Sequence, residues 1–559
     1  MDLMSGEKGR RSSLDGVLFL ALILAGGFHE YISCMLSILL SVMLLVRMHR
    51  NGKLIIRKDL LTSAVIAVCL GYGLSCLWAV DRGMAFIGFM KFLPVGLYLI
   101  YLQQQDRVAD TLMILPWFGV VTVVITGVGM QFPVGEALFS VAGRLAGFFQ
   151  YPNTYAVFLL VCELLMLKKE DRMLWDYIAL IILSVGFLYT GSRTAFAVAV
   201  LANVAMLFVL GKRPVRIALL VGVIGVVLLA GLLALDKNSV IHRYLTISFK
   251  ESTFVGRLLY WQDALPLLLE YPFGMGYMGY YYVQQSIQTG VYSVVYVHND
   301  LLQMLLDIGW VPVALVLTTL VQWGRRKDVP LADKLIAGAV CVHSFFDFDL
   351  QFIGMVFLLV LLLSGTKAEK TMEVRPSAFH KLGLAVVMCV CLYMGAALSF
   401  AHWGMHGLSD RLYPYNTQNK LQMLEQTDDL DEAKKLADEI LAQNTCFYYP
   451  YSIQARYHYS RGDVGAMIDN GRATLERNPF AHEEYEMYCK MLINCIDLYT
   501  KAGDMESAMI CRQELLDTAE ALSDNEEQLS ALGKLIDDQP VLELSAEVEG
   551  YIRQEGRGQ

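Results

Sequence analysis

The sequence predicts an all-α protein in which a polytopic membrane helix bundle of about 12–13 spans is followed by a soluble α-helical repeat domain. Of the 559 residues, 55% are hydrophobic and 18% are charged, and the mean hydropathy is +0.45. Apolar runs of about 20 residues recur, which is the length a helix needs to cross roughly 30 Å of hydrocarbon. These runs stop near Trp403, so the predicted membrane domain covers residues 1–403 and the soluble domain residues 404–559.

Each span is predicted to be helical, because backbone groups in hydrocarbon must be satisfied within their own segment. The first apolar run is followed directly by another span, so no cleavable signal peptide is predicted. The thirteen predicted spans begin near Leu14, Tyr31, Leu60, Met84, Thr111, Asn153, Trp175, Thr194, Val215, Asp300, Leu331, Gln351 and Lys381.

Basic residues mark alternate loops, and lysine and arginine collect on the side of a membrane protein that is not translocated. This pattern predicts a cytoplasmic N-terminus and, with an odd number of spans, an extracytoplasmic C-terminus. Arg144, Arg193, Arg257 and His298 then face outward. The basic loops contain Lys8, Arg10 and Arg11; Arg47, Arg50, Lys53, Arg57 and Lys58; Lys168, Lys169 and Arg172; Lys212, Arg213 and Arg216; Arg325, Arg326 and Lys327; and Lys367, Lys370 and Arg375.

A large external loop, residues 236–297, ends at the segment Tyr296-Val297-His298-Asn299-Asp300. Packed helices are usually joined by a few residues, and much longer loops are often functional. His298 is a candidate general base, because an imidazole titrates near neutral pH and can take a proton from an attacking hydroxyl. In the alternative reading His298 is a hydrogen-bonded residue at a helix start, where Asn299 could equally serve as the cap.

Three outward arginines are candidate anion-binding residues. Arg144 precedes the sixth span, Arg193 occupies a tight turn between two spans, and Arg257 begins an apolar stretch of the long loop. A guanidinium group forms charge-assisted bidentate bonds with phosphate, so a lipid pyrophosphate is the expected ligand. The structural alternative is that Arg144 and Arg193 only anchor helices by reaching the lipid headgroups.

A second polar cluster, His343, Asp347 and Asp349, lies at the predicted outer end of the eleventh span. Ionisable groups at such a position are costly unless they are satisfied, which makes them candidate accessory residues together with Asn153 and Asn299. They could instead cap the helix turn.

The soluble region is acidic. From Met405 onward it carries 14 basic and 29 acidic residues, a net charge of −15, whereas the preceding residues carry +6. This charge argues against nucleic acid as a partner. The segment from Tyr459 to Ala466 is echoed by Tyr499 to Ala508, a spacing similar to tetratricopeptide helix pairs, although a generic array of helical hairpins fits almost as well. The cysteines show no CxxC spacing, so neither a metal site nor a disulfide framework is predicted.

The membrane region resembles the O-antigen ligase and O-antigen polymerase superfamily. The residues that carry the resemblance are the run from Arg144 to Asn153, the Ser192-Arg193 turn, Arg257 with Trp261, the Pro272-Phe273-Gly274-Met275-Gly276 bend, and His298-Asn299 with Gly309. The resemblance implies a GT-C-like architecture in the bacterial cytoplasmic membrane and transfer of an undecaprenyl-pyrophosphate-linked glycan to a lipid or glycan acceptor.

The same resemblance implies the roles of individual residues. His298 would activate the acceptor hydroxyl, Arg193 and Arg257 would hold the donor pyrophosphate, and Arg144 would be an accessory contact. The implied reaction inverts the anomeric centre and uses no metal and no cofactor. Ligase and polymerase are not separated by these residues, and the repeat domain is expected to bind a protein partner or grip the glycan.

Two other classes of function remain open from the sequence alone. A secondary transporter would contain comparable spans, but its interrupted helices should recur in matching positions of two repeats, and no such symmetry is visible. A membrane scaffold that displays the repeat domain would not need His298.

Overall fold

The structure is a computed structural model that describes residues 13–105, 108–210, 240, 242–245, 252–365, 370–536 and 542–556. The chain divides into two compact units. The first comprises Met1–Leu74, Phe86–Ser248 and His298–Ser399, and the second comprises Ser75–Ala85, Phe249–Val297 and Phe400–Gln559. The segment from 249 to 297 thus groups with the C-terminal helices, whereas the predicted division is a single boundary after residue 403.

The first unit is built almost entirely of helices, which confirms the predicted all-α membrane architecture. Its helices, some of whose ends enter the second unit, are Ser13–Ile23, Glu30–Asn51, Leu60–Ser75, Arg82–Leu102, Val108–Gly129, Pro133–Phe139, Pro152–Lys168, Leu174–Tyr189, Arg193–Leu210, His242–Leu245, Asp300–Ile308, Trp310–Arg325, Leu331–Ser344, Ile353–Ser364 and Ala378–His402. Short 3-10 turns lie at Ala25–Gly27, Gly147–Phe149 and Asp349–Gln351.

Several helices have the length and composition of membrane spans. Within the described ranges, five are long and apolar enough: Glu30–Asn51, Arg82–Leu102, Asp110–Gly129, Arg193–Leu210 and Ala378–His402. Leu60–Ser75, Leu174–Tyr189 and Ile353–Ser364 are shorter apolar helices. The predicted span near Val215 lies outside the described residues.

The span predicted to begin near Asp300 is not one continuous helix, so that prediction was wrong. Helix Asp300–Ile308 ends at Gly309, whose φ of 77° and ψ of −174° are accessible essentially only to glycine. A new helix, Trp310–Arg325, begins at the next residue. Pro312 lies in its first turn, where the missing N–H needs no partner within the helix.

Two short strand pairs in the first unit were not predicted. Leu54–Arg57 pairs antiparallel with Thr371–Val374, and Ser140–Val141 pairs with Arg144–Leu145. The first pair joins two of the basic loops, and the Gln104 side chain bonds the backbone N–H and carbonyl of Ile55. Both loops therefore lie on one face, as the charge pattern requires.

Two packed helices, Pro152–Lys168 and Leu331–Ser344, have a charged pair at one end and a polar cluster at the other. Lys168, at the end of Pro152–Lys168, pairs with Asp333 at the start of Leu331–Ser344. At the other end of the same helices, Thr154 and His343 both bond Asp349. A helix of 17 residues is about 25 Å long, so the two polar ends lie nearly a bilayer core apart.

The second unit is helical as well. Its helices are Ser252–Ala264, Leu267–Glu270, Gly279–Ile287, His406–Leu412, Thr417–Gln426, Leu430–Leu441, Tyr449–Ser460, Val464–Arg477, His482–Ala502, Met505–Glu527 and Ala546–Gly556, with a 3-10 turn at Gly533–Leu535. Buried Asp81 anchors the segment 75–85 in this unit by accepting hydrogen bonds from Thr417 and Asn444.

The echoed sequence segments form equivalent turns between helices. Gly462 and Gly503 both have positive φ, and the aspartate after each glycine accepts a hydrogen bond from the backbone N–H three residues later. A left-handed glycine followed by an N-cap ends one helix and begins the next. The region is thus a series of helical hairpins, and its assignment as a tetratricopeptide domain stays a prediction.

Candidate functional site

His298 is held in an unusual backbone conformation at the start of helix Asp300–Ile308. Its φ is +53°, a left-handed value that is uncommon for residues other than glycine. Asn299 is the N-cap, and its side-chain oxygen accepts a hydrogen bond from the N–H of Leu302 at 3.0 Å. Asn299 therefore acts through the helix, and the cap fixes the position from which the imidazole projects.

Asp347 is the residue that links His298 to the rest of the first unit. Its carboxylate is fully buried, whereas the imidazole retains 23% exposure. His298 Nδ1 lies 3.3 Å from Asp347 Oδ1, and the same oxygen accepts from the Tyr151 hydroxyl at 2.8 Å. A buried carboxylate on Nδ1 fixes the ring orientation and favours the tautomer whose Nε2 accepts a proton.

A further hydrogen-bond path connects Asp347 to Arg144. Asn153 Nδ2 donates to Asp347 Oδ2 at 2.8 Å, and Asn153 Oδ1 accepts from Arg144 Nη2 at 2.7 Å. Arg144 Nε also donates to the Thr190 carbonyl at 2.7 Å. Asn153 reaches both partners because Pro152 begins its helix, which places the amide in the first turn. The base and a cation therefore belong to one continuous network.

Arg144 lies in a basic cluster that the sequence showed only in part. Arg193 Nε donates to the backbone carbonyl of Arg243 at 2.9 Å. Gly191 has positive φ, and a Cβ at this position would lie 3.4 Å from both Arg144 Nε and Arg243 Cδ. Arg144 and Arg243 thus approach each other at a glycine, and Arg193 is joined to them through the backbone of Arg243.

The charge of this cluster survives its burial. Burial and the neighbouring Arg243 lower the pKa of Arg144 to about 10, which still leaves the group protonated at neutral pH. Cations held close to one another attract an anion that neutralises them.

Arg257 is placed in the second compact unit. Helix Ser252–Ala264 carries it, and Trp261 of that helix donates its indole N–H to the carbonyl of Val297 at 3.1 Å. Tyr260 packs against Tyr292 with ring centroids 4.6 Å apart. The hydrogen bond from Trp261 fixes the backbone immediately before His298, and the role of Arg257 in pyrophosphate binding stays a prediction.

A second histidine–aspartate pair lies beside the first. His343 Nδ1 is 2.6 Å from Asp349 Oδ2, and both side chains are fully buried. Asp349 Oδ1 accepts from the Thr154 hydroxyl at 2.7 Å. Asn153 and Thr154 thus hold Asp347 and Asp349, so the buried pair fixes the loop that presents Asp347.

An apolar cavity of about 310 Å³ adjoins this polar region in the first unit. Asp300 lines its polar end, and the Leu350 N–H donates to that carboxylate at 2.8 Å. The apolar lining includes Tyr72, Phe92, Leu301, Val316, Leu359 and Val360. A ligand with a polar head and an apolar chain suits such a cavity.

Reasoning from the sequence missed three residues of this region. Tyr151 and Arg243 were not identified as candidates, and Asp300 was named only as the start of a span. Tyr151 precedes Pro152-Asn153 in the run that carries the family resemblance, which was an available signal. The sequence around Arg243 contained no such signal, because only the fold brings the segment that carries Arg243 close to Gly191. Among the described residues, no group of three or more histidine, cysteine, aspartate or glutamate side chains is arranged to hold a metal ion.

Comparison with known proteins agrees with the membrane architecture and the resemblance. Residues 178–317 match the family model described as O-Antigen ligase. No curated protein matches the chain. The matched segment contains Arg193, Arg243, Arg257, His298 and Gly309. The chain is therefore a multi-pass membrane protein whose residues 178–317 are similar to the O-antigen ligase family.

Proposed function

We propose that this protein transfers a glycan from undecaprenyl pyrophosphate to a hydroxyl group of a lipid or glycan acceptor at the outer face of the cytoplasmic membrane. The observation that supports this most strongly is the continuous network from His298 through Asp347 and Asn153 to Arg144. It couples a residue that can accept a proton to a residue that can hold a phosphate, and the transfer requires both.

His298 is the general base of the proposed reaction. Its Nε2 removes the proton of the acceptor hydroxyl while that oxygen forms a bond to the anomeric carbon. The bond between the anomeric carbon and the pyrophosphate oxygen breaks, and its electron pair leaves with undecaprenyl pyrophosphate. Attack opposite the leaving group inverts the anomeric centre. The buried carboxylate of Asp347 stabilises the imidazolium that forms.

Arg144, Arg193 and Arg243 stabilise the pyrophosphate leaving group. Negative charge grows on this group as the glycosidic bond breaks, and fixed cations in a partly dehydrated site lower the energy of that transition state more than that of the ground state. The planar guanidinium groups suit the bidentate geometry of phosphate. Arg257 is proposed as a further donor contact.

The apolar cavity and the charge pattern support the same assignment. A cavity beside Asp300 can accommodate part of an isoprenoid or acyl chain while the polar head reaches His298. The site lies at the end of helix Pro152–Lys168 opposite the basic residue Lys168. Since basic loops stay in the cytoplasm, the site is proposed to face outward.

Transfer of a lipid-pyrophosphate-linked glycan by the purified protein in liposomes tests this proposal. His298→Ala, Arg193→Ala and Arg243→Ala are compared with wild type and with Lys435→Ala, which changes an exposed lysine of the C-terminal helices. The His298→Ala protein should lose activity, and the arginine variants should bind the donor more weakly. Full activity of a folded His298→Ala protein would refute the assignment of the base.

The acceptor distinguishes ligase from polymerase. Supplying a lipid acceptor alone, a second lipid-linked repeat alone, or both, separates the two reactions by the mass of the product. We propose that the helical hairpins of residues 404–559 bind a protein partner or the growing glycan, because stacked hairpins present extended concave surfaces.

A further inference from the structure

The last long helical hairpin of the second unit contains two cysteines at equal distances from its turn. Helices His482–Ala502 and Met505–Glu527 are antiparallel and are joined by Gly503, whose φ is +81°. Cys495 and Cys511 are each eight residues from Gly503 along the chain. Equal distances from the turn place the two residues opposite each other across the helix pair.

The two thiols lie in the same buried core. Cys495 and Cys511 are close enough for each to perturb the pKa of the other, and their exposures are 7% and 1%. Leu492, Ile496 and Leu515 belong to the same hydrophobic cluster. Both thiols are therefore shielded from bulk water.

General helix-packing geometry is compatible with a covalent bond between the two residues. Packed helices have axes about 8–10 Å apart and Cα atoms about 2.3 Å from each axis. Facing Cα atoms then lie about 3.5–5.5 Å apart, which overlaps the range of about 4.4–6.8 Å found for disulfides.

We propose that Cys495 and Cys511 form a disulfide that cross-links the two helices of this hairpin once the domain is outside the cytoplasm. The two thiols lose two protons and two electrons as the sulfur–sulfur bond forms. The oxidant is the disulfide of an extracytoplasmic thiol oxidoreductase, which is reduced to two thiols. The inference rests on the outward orientation of the proposed function and on the extracytoplasmic C-terminus that the loop charges predict.

The local chemistry selects this pair over the other cysteines of the domain. Hydrogen bonding from Cys511 lowers the pKa of Cys495 and outweighs the opposing effect of burial. Cys495 is therefore the thiol that reaches the nucleophilic thiolate form more readily. Burial raises the pKa of Cys489 to about 12 and also raises that of Cys446.

Differential alkylation of the full-length protein tests the proposal. Membranes are denatured in N-ethylmaleimide without reductant, then reduced and treated with iodoacetamide, and the labelled peptides are identified by mass spectrometry. Cys446 and Cys489 should carry the first label, and Cys495 and Cys511 the second. Cys495→Ser should expose Cys511 to the first label, whereas the control Cys446→Ser should leave the pair protected.

Two results would overturn the inference. One is the first label on both Cys495 and Cys511 in protein taken directly from membranes. The other is failure of the reduced, folded protein to lose two thiols when oxidised glutathione is added. Closing a loop of about 15 residues should also raise the melting temperature of the second unit, on the order of 5–10 °C.

Glycan transfer measured on the same preparations keeps this test separate from the proposed function. An inactive protein with a protected pair counts against the glycosyltransferase mechanism alone. An active protein whose pair is alkylated counts against the disulfide alone.

Discussion

Replacing Asp347 by asparagine changes the centre of the His298 network without changing its size. Both carboxylate oxygens accept hydrogen bonds, Oδ1 from Tyr151 and Oδ2 from Asn153. An amide presents an NH₂ group at one of these positions, where it faces either the N–H of Phe348 or the NH₂ of Asn153. The substitution also removes the negative charge that stabilises the imidazolium of His298.

The expected effect on catalysis is larger than the effect on stability. A positioned general base contributes about 10²–10⁴-fold to a rate, which at 1.36 kcal/mol per tenfold corresponds to about 3–5 kcal/mol. A buried polar group without a partner costs about 1–3 kcal/mol of folding free energy. We therefore expect kcat to fall by about 10²–10⁴-fold in a protein that still folds.

Single-turnover transfer of a labelled glycan in liposomes measures this loss, with thermal unfolding as the check on folding. Asp328→Asn is the matched control, because Asp328 is an exposed carboxylate of the same unit that pairs with Arg326. It should retain wild-type activity. A folded Asp347→Asn protein within about threefold of the wild-type rate would show that the carboxylate does not orient the base.

Three further predictions follow from other parts of the structure. Arg243→Ala should lower kcat/KM for the lipid-linked donor by about 10–100-fold, because a charge-assisted bond contributes about 1.5–3 kcal/mol. Arg243→Lys should recover only part of the lost kcat/KM. Equal donor titrations for wild type and Arg243→Ala would contradict this prediction. Gly309→Ala should destabilise the protein by about 1–3 kcal/mol, since its backbone conformation is available essentially only to glycine, and unchanged melting would argue against the break between the two helices. Burial opposes ionisation of Glu486, but hydrogen bonds from Lys490 and Ser545 lower its pKa to about 2. This carboxylate therefore stabilises the second unit above its unfolded pKa of about 4.3 and loses that contribution as the pH falls toward 2. Melting of Glu486→Gln should be lower than wild type at pH 7 and equal to it near pH 2, and a difference that persists at pH 2 would exclude ionisation as the cause.

Span order and loop charge predicted that the candidate residues share one face of the membrane domain. Arg144, Asn153, Asp347 and His298 were each placed at an outer span end, and the structure joins them by hydrogen bonds. Their distances could not be predicted, since they depend on which helices pack together. The family match over residues 178–317 confirms the resemblance drawn from the motifs.

The structural features that the sequence did not predict depend on backbone conformation and on contacts between distant residues. The break at Gly309 is invisible to hydropathy, because the residues on both sides are apolar and the helix ends through one backbone conformation. Arg243 has no neighbouring motif, and its role arises from the approach to Gly191. The strand Leu54–Arg57 lies among basic residues and finds its partner more than three hundred positions later.

That strand pair has a consequence for biosynthesis. Residues 54–57 leave the ribosome and reach the membrane long before residues 371–374 are translated. Throughout that interval the early strand has an open edge, which is a site for mispairing with other chains. The last membrane helix, Ala378–His402, follows its partner strand almost immediately. The strand pair can therefore form only when nearly all helices of the first unit have been translated.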